Sequence, residues 1–191
     1  VKEKSLYFEG GIKSFVEYLN KGKDSVHSDV IYLEGKKENM EVEIAMQYND
    51  GYMPNIYSFC NNINTHEGGY HEDGFRLAIN RVINNYAKEN NLMKKDEEAL
   101  QGEDVREGLT AIISVKHPDP QYEGQTKMKL GSAEVRRITN SVFSKALEKF
   151  HFDYKDTFGL KLDKDSETAY KSIRLINRAV YLTFICSTDK S

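Results

Sequence analysis

Leu109-Thr110-Ala111-Ile112-Ile113-Ser114-Val115 is a nearly continuous apolar run of strand length. It has the pattern of a central strand, and the rest of the fold is read outward from it. Downstream, His117 to Gly131 carries two prolines and two glycines and predicts a long loop. Beyond the loop, Val135, Ile138, Thr139, Val142, Phe143, Ala146, Leu147 and Phe150 recur at helical spacing. Ser132 is placed to cap that helix, and Glu134 in its first turn suits the positive end of the helix dipole. Upstream, residues 90–102 are charged and aperiodic, which predicts a surface loop. Phe75, Ala78, Ile79, Val82, Ile83 and Tyr86 before it predict a helix over Asp73 to Lys88.

The N-terminal part reads as strands preceded by a helix. Glu41 to Tyr48 alternates strictly, with Val42, Ile44, Met46 and Tyr48 on one face of a half-buried strand. Asn49-Asp50-Gly51 is a strong turn signal, and Ile56 to Cys60 follows it as the returning strand, so the pair predicts an antiparallel hairpin. Val30 to Leu33 predicts another strand, closed by Gly35. Ile12, Phe15, Val16 and Leu19 give an amphipathic helix over Gly11 to Asn20. The order is helix, strands, helix, strand, helix. It predicts an α+β fold in which helices cover one face of a mostly antiparallel sheet. Residues 1–150 form the domain. Residues 151–191 break the pattern and are set apart as a C-terminal extension, with Ala169, Ile173, Ile176 and Val180 returning to helical spacing.

Composition narrows the class. The chain has 191 residues, and 27 Lys and Arg against 30 Asp and Glu leave a net charge of −3. This is a globular composition, and no stretch approaches the roughly 18 consecutive apolar residues of a membrane span. The charge balance argues against a uniformly basic coat for nucleic acid and leaves room for a local basic patch. Val1-Lys2-Glu3-Lys4-Ser5 has no apolar signal core, and the only cysteines are Cys60 and Cys186. The expectation is a reduced, cytoplasmic protein, read as an internal piece of a longer chain because no initiator Met is present.

Chemistry is sparse. There is no phosphate-binding P-loop, zinc-protease motif or nucleophile elbow. His66-Glu67 and His71-Glu72-Asp73 invite a metal reading, but the histidine spacing does not suit one helical face, and no metal site is expected. Cys60, inside an apolar strand, reads as a small core residue. The adjacent Gly68 and Gly69 demand a sharp turn or a close approach. The loop Gln125-Thr126-Lys127-Met128-Lys129 lies between the central strand and the strongest helix. A lysine there can extend its ammonium to a phosphate in a neighbouring cleft, with a glutamine donating beside it. From the residues alone, an ordinary solvated loop stays open as the other reading.

Tyr7-Phe8-Glu9-Gly10-Gly11-Ile12-Lys13-Ser14-Phe15-Val16-Glu17-Tyr18-Leu19-Asn20, Ala45 to Tyr52, Asn61 to Gly69, Gly102 to Leu109 and the Gln125-Thr126-Lys127 loop together resemble bacterial DNA gyrase B, in the family's order. The ATPase subunit of topoisomerase IV is the near neighbour. The resemblance implies the second, or transducer, domain of an ATP-hydrolysing type II topoisomerase, with a fold like the second domain of a small-subunit ribosomal protein. It implies that Lys127, with Gln125, contacts the γ-phosphate of ATP bound in a preceding domain, and that Mg2+ is held by residues absent from this chain. It further implies a cavity that receives DNA, with Arg76 facing it and Arg81 and Lys88 as further candidates. The partners so implied are DNA, a second copy of the gyrase B chain and a gyrase A-type cleavage subunit, with no membrane. Alone, the chain is not expected to hydrolyse ATP. Residues 151–191 depart from the family's long Ala/Arg/Lys-rich helix, and nothing functional is carried onto them. A stand-alone nucleic-acid-binding module on a ribosomal-protein-like fold is the alternative.

Overall fold

The computed structural model describes residues 9–25, 29–89 and 99–158, with side chains as far as residue 149. In chain order the elements are α1 (Gly11–Leu19), β1 (Ile31–Lys37), β2 (Met40–Tyr48), β3 (Asn55–Cys60), β4 (Ile63–Asn64), α2 (Tyr70–Glu89), α3 (Gly102–Arg106), β5 (Leu109–Lys116) and α4 (Glu134–Phe158). The strands form one sheet in the order β1-β2-β5-β3-β4. All neighbours are antiparallel except β3 and β5, which run parallel. The α+β class, the mostly antiparallel sheet and the central place of Leu109–Lys116 stand as expected.

The predicted hairpin of β2 with Ile56–Cys60 does not form. Asn49 does turn the chain, and its side-chain oxygen accepts from the Gly51 amide at 2.9 Å. But β5 occupies the edge of β2, in register from Tyr48 opposite Leu109 to Glu41 opposite Lys116. The Asn49 amide donates to the Gly108 carbonyl at 2.9 Å. Gly108, at φ +68, sits so close that a Cβ there would lie 2.4 Å from the Asn49 carbonyl oxygen. An apolar strand with two faces to bury gains more by taking neighbours on both sides than a local turn gains by closing on itself. The hairpin that does form joins β1 to β2 through Glu38 and Asn39, at φ +52 and +61. That is a two-residue turn of the kind favoured between twisted strands. Gly35 does not end β1 as predicted: it lies within the strand, where a Cβ would meet Val142 of α4 at 2.7 Å.

Helices also cover both faces of the sheet, not one. Ile44, Met46, Ala111, Ile113 and Val115 pack with Phe75, Ile79, Ile138 and Phe143 of α2 and α4 in the larger core. On the opposite face Ala45 and Ile112 pack with Val16 of α1, flanked by Ile12, Phe15 and Leu19. The small Ala45 among the glutamates of β2 gives α1 its seat. Beside it a buried polar cluster joins α1 to the sheet. Asn20 donates to Gln47 at 2.9 Å, Asn49 donates to Asn20 at 3.1 Å, and Thr110 donates to Asn20 at 2.6 Å. Buried amides satisfied in this way fix the angle of α1 as well as its burial.

The helix predicted from Asp73 begins at Tyr70, and α4 continues through the boundary placed at residue 150. Helix α3 starts at Gly102, the last residue of the predicted surface loop, and residues 90–98 of that loop lie outside the described residues. The extension beyond Phe158, including Ala169 to Val180, lies outside them too. No helix among the described residues is long and apolar enough to cross a membrane.

Candidate functional site

The loop between β5 and α4 is more ordered than its prolines and glycines suggest. Glu123 donates its amide to the Lys129 carbonyl at 2.9 Å, and Gly131 donates to Gln121 at 2.8 Å, so the segment folds back as a narrow ribbon. Gly124 at φ +86 and Lys127 at φ +55 turn the chain at its tip. Gln125, Thr126 and Lys127 occupy that tip and are exposed.

The base of the ribbon is bolted to the Gly68-Gly69 turn. Glu67 donates to the Met128 carbonyl at 2.9 Å, Leu130 donates to Gly68 at 3.1 Å, and Tyr70 donates to Leu130 at 3.2 Å. A Cβ on Gly69, at φ +138, would fall 2.5 Å from the Leu130 oxygen. The paired glycines therefore meet both demands read from the sequence, a sharp turn and a close approach. Tyr122 adds a third anchor, its hydroxyl donating to the Cys60 carbonyl at 3.2 Å. Cys60 itself is buried, and burial pushes its thiol pKa up, as suits a core residue.

The two lysines of the loop are not equivalent. Lys129 is neutralised by Glu123 at 3.0 Å. Lys127 has its ammonium 5.7 Å from the centre of the Tyr122 ring, and among the described residues no carboxylate forms an ion pair with it. A non-glycine residue at positive φ is costly by roughly 1 kcal/mol, and such positions concentrate where a side chain must be aimed. Lys127 is thus an exposed cation on a strained tip above a rigid base, available to an incoming anion.

Arg76 sits in the second turn of α2, on the element whose start is fixed by the Gly69–Leu130 contact. Its guanidinium donates through Nε at 2.9 Å and Nη2 at 2.6 Å to one oxygen of Glu72. The other oxygen of Glu72 accepts from Ser58 at 3.2 Å, and Ser58, Thr65 and His71 continue the network inward. Arg106 of α3 stands near enough for the charge of Arg76 to lower its pKa, second to its own burial. Sequence reading missed Glu72, Arg106 and Tyr122 as parts of these sites. The Gly102–Leu109 motif contains Arg106 but does not reveal that α3 folds toward α2. His71 is buried on Thr65 whereas His66 is exposed, so the two histidines do not converge. No group of three His, Cys, Asp or Glu among the described residues could hold a metal ion.

Solved structures share this fold. The 43K ATPase domain of Thermus thermophilus gyrase B superposes with a TM-score of 0.74 at 29% identity, over 94% of this chain and 46% of that one. The topoisomerase IV ATP-binding domain of Francisella tularensis, at 19% identity and a TM-score of 0.59, shares the fold over 90% of this chain and 42% of that one. The chain thus shares the fold class of these two ATPase-region structures. Within it, the profile described as DNA gyrase B matches residues 11–170, and the DNA gyrase B of Bacillus mycoides is 53% identical over 168 residues, 88% of this chain and 42% of the relative. That of Streptococcus pneumoniae strain TIGR4 is 58% identical over 147 residues, 77% of this chain and 23% of the relative. The chain belongs to the DNA gyrase B family. It spans less than half the length of these curated relatives.

Proposed function

We propose that residues 1–150 are the transducer domain of an ATP-hydrolysing type II topoisomerase subunit of the cytoplasm, with residues 151–191 as a separate extension. The observation that carries this reading is the exposed ammonium of Lys127 on a ribbon tied to the start of α2. ATP bound in a preceding domain supplies a triphosphate whose terminal group carries the charge that Lys127 lacks as a partner here. The residues fit that group, an unneutralised ammonium with the Gln125 amide on the same turn.

The mechanism follows from differential contact. Lys127 gains a charge-assisted hydrogen bond, about 1.5–3 kcal/mol, only while a γ-phosphate is in reach. At 1.4 kcal/mol per factor of ten, that shifts the docking equilibrium of two domains by about tenfold to a hundredfold, within the usual span of allosteric couplings. Lys127 also opposes charge that develops on the transferred phosphoryl group, an electrostatic role. Gln125 orients the same phosphate by donating its amide. Movement of the ribbon is transmitted through Leu130 and Gly69 to α2, and so to Arg76. In this reading Mg2+ is held outside this chain, the subunit works as a pair with a gyrase A-type partner, DNA is the substrate, and the chain alone does not turn over ATP.

The test is Lys127→Ala in the complete subunit. ATP turnover should be lost while nucleotide binding stays within roughly tenfold. Turnover near the wild-type rate would remove Lys127 from this role.

A further inference from the structure

The ribbon of residues 121–131 carries two lysines and one carboxylate, Glu123, and that carboxylate pairs with Lys129. Lys127 is left with the ring of Tyr122, 5.7 Å from its ammonium to the ring centre. That distance lies within the roughly 6 Å over which the negative face of an aromatic ring attracts a cation. The ring is held from three sides. Tyr122 pairs with Leu130 across the ribbon, packs against the larger core, and donates its hydroxyl to the Cys60 carbonyl at 3.2 Å. Lys127 comes back alongside it because the chain turns at Gly124, whose carbonyl accepts from the Lys127 amide at 3.4 Å. The ring is thus fixed to the end of β3, while the lysine above it is exposed.

From this we infer that Tyr122 is a positioning residue for phosphate sensing: its ring holds the Lys127 ammonium on the ribbon while no nucleotide is bound and yields it to the γ-phosphate. The inference rests on the reading that Lys127 contacts that phosphate, and it adds the group that competes for the same cation. A lysine on an exposed turn otherwise spreads its ammonium over many rotamers. A carboxylate in the place of the ring would cancel the charge and repel an incoming phosphate. The ring does neither, so Lys127 stays close to the ribbon and fully charged. Its hold is also slight. A cation–π contact at an exposed site shifts an equilibrium by about twofold to fivefold, less than the roughly tenfold to hundredfold of a charge-assisted bond to phosphate. The phosphate therefore takes the cation, and the ring lowers the net gain by that smaller factor.

The test has two parts. In the 191-residue chain without nucleotide, isotope-labelled methyl groups placed on the lysines are observed by NMR, with the Lys127 signal assigned by its loss in Lys127→Arg. That signal should lie upfield of those of the other exposed lysines, as the face of a ring demands. Tyr122→Phe should keep the displacement and Tyr122→Leu should abolish it. In the complete subunit, affinity for a non-hydrolysable ATP analogue is measured relative to affinity for ADP. Tyr122→Leu should raise this ratio about twofold to fivefold, and Tyr122→Phe should restore it. In a Lys127→Ala background, Tyr122→Leu should have no further effect. An undisplaced Lys127 signal in the wild-type chain, which needs no change at Tyr122 to observe, would overturn the inference. So would a ratio that Tyr122→Leu lowers or leaves unchanged. An effect of Tyr122→Leu that persists without Lys127 would also overturn it, by making the ring a mere prop of the ribbon. A ratio unmoved by Lys127→Ala itself would remove the γ-phosphate reading as well, whereas a ratio that Lys127→Ala lowers and Tyr122→Leu does not raise removes the ring alone.

Discussion

At Gly69 the chain has no room for a side chain, since both the nitrogen and the oxygen of Leu130 lie within 2.6 Å of where a Cβ would stand. With φ at +138 as well, Gly69→Ala should destabilise the fold by about 3 kcal/mol and loosen the ribbon that carries Lys127. Urea unfolding at constant m-value would measure the first effect, and an unchanged midpoint would refute the clamp. His71 offers a second residue-scale prediction. Burial lowers its pKa to about 4, whereas in the unfolded chain it takes up a proton near pH 6.5. Its contribution is therefore intact above about pH 6.5 and falls away as the pH drops toward 4. The loss should reach about 2 kcal/mol by pH 5 at 1.36 kcal/mol per pH unit. His71→Gln should narrow its stability gap from wild type between pH 7 and pH 5, and a gap independent of pH would contradict this.

At the scale of elements, the crossing of α2 over α4 depends on Gly74, where a Cβ would lie 2.4 Å from the Arg136 carbonyl oxygen. In an open helix Gly→Ala gains up to about 1 kcal/mol, so the sign of the effect is diagnostic. Gly74→Ala should lose about 2 kcal/mol in thermal or urea unfolding, and a gain would show that the helices do not approach so closely. The elements themselves are legible where periodicity is strong: α1, β2, α2, β5 and α4 all follow from spacing. Pairing is less legible. Asn49-Asp50-Gly51 is a genuine turn, but no local signal says that β5, far along the chain, will take the edge of β2. Glu38-Asn39, which does close a hairpin, carries no glycine to announce it. Ala45 and Ile112 show no periodic mark of the α1 contact, because each sits on the face of its strand that polar neighbours make look wet.

At the scale of the whole molecule, the Gln125-Thr126-Lys127 motif is legible in the sequence, and the ribbon beneath it is not. Its anchors are backbone hydrogen bonds to Gly68 and Leu130, which leave no side-chain pattern. Charge placement is only partly legible: Glu72 stands four residues before Arg76, a spacing the sequence carries, whereas only the fold brings Asn140 and Ser144 to Arg81. In the proposed mechanism Lys127 is the sensor through which a nucleotide held by one domain moves another. The most direct measurement is the position of the Lys127 Nζ in the complete subunit bound to a non-hydrolysable ATP analogue. Nζ should lie within about 3 Å of a γ-phosphate oxygen, at charge-assisted hydrogen-bonding distance. An ammonium still stacked on Tyr122 or turned to solvent in that complex would contradict the mechanism.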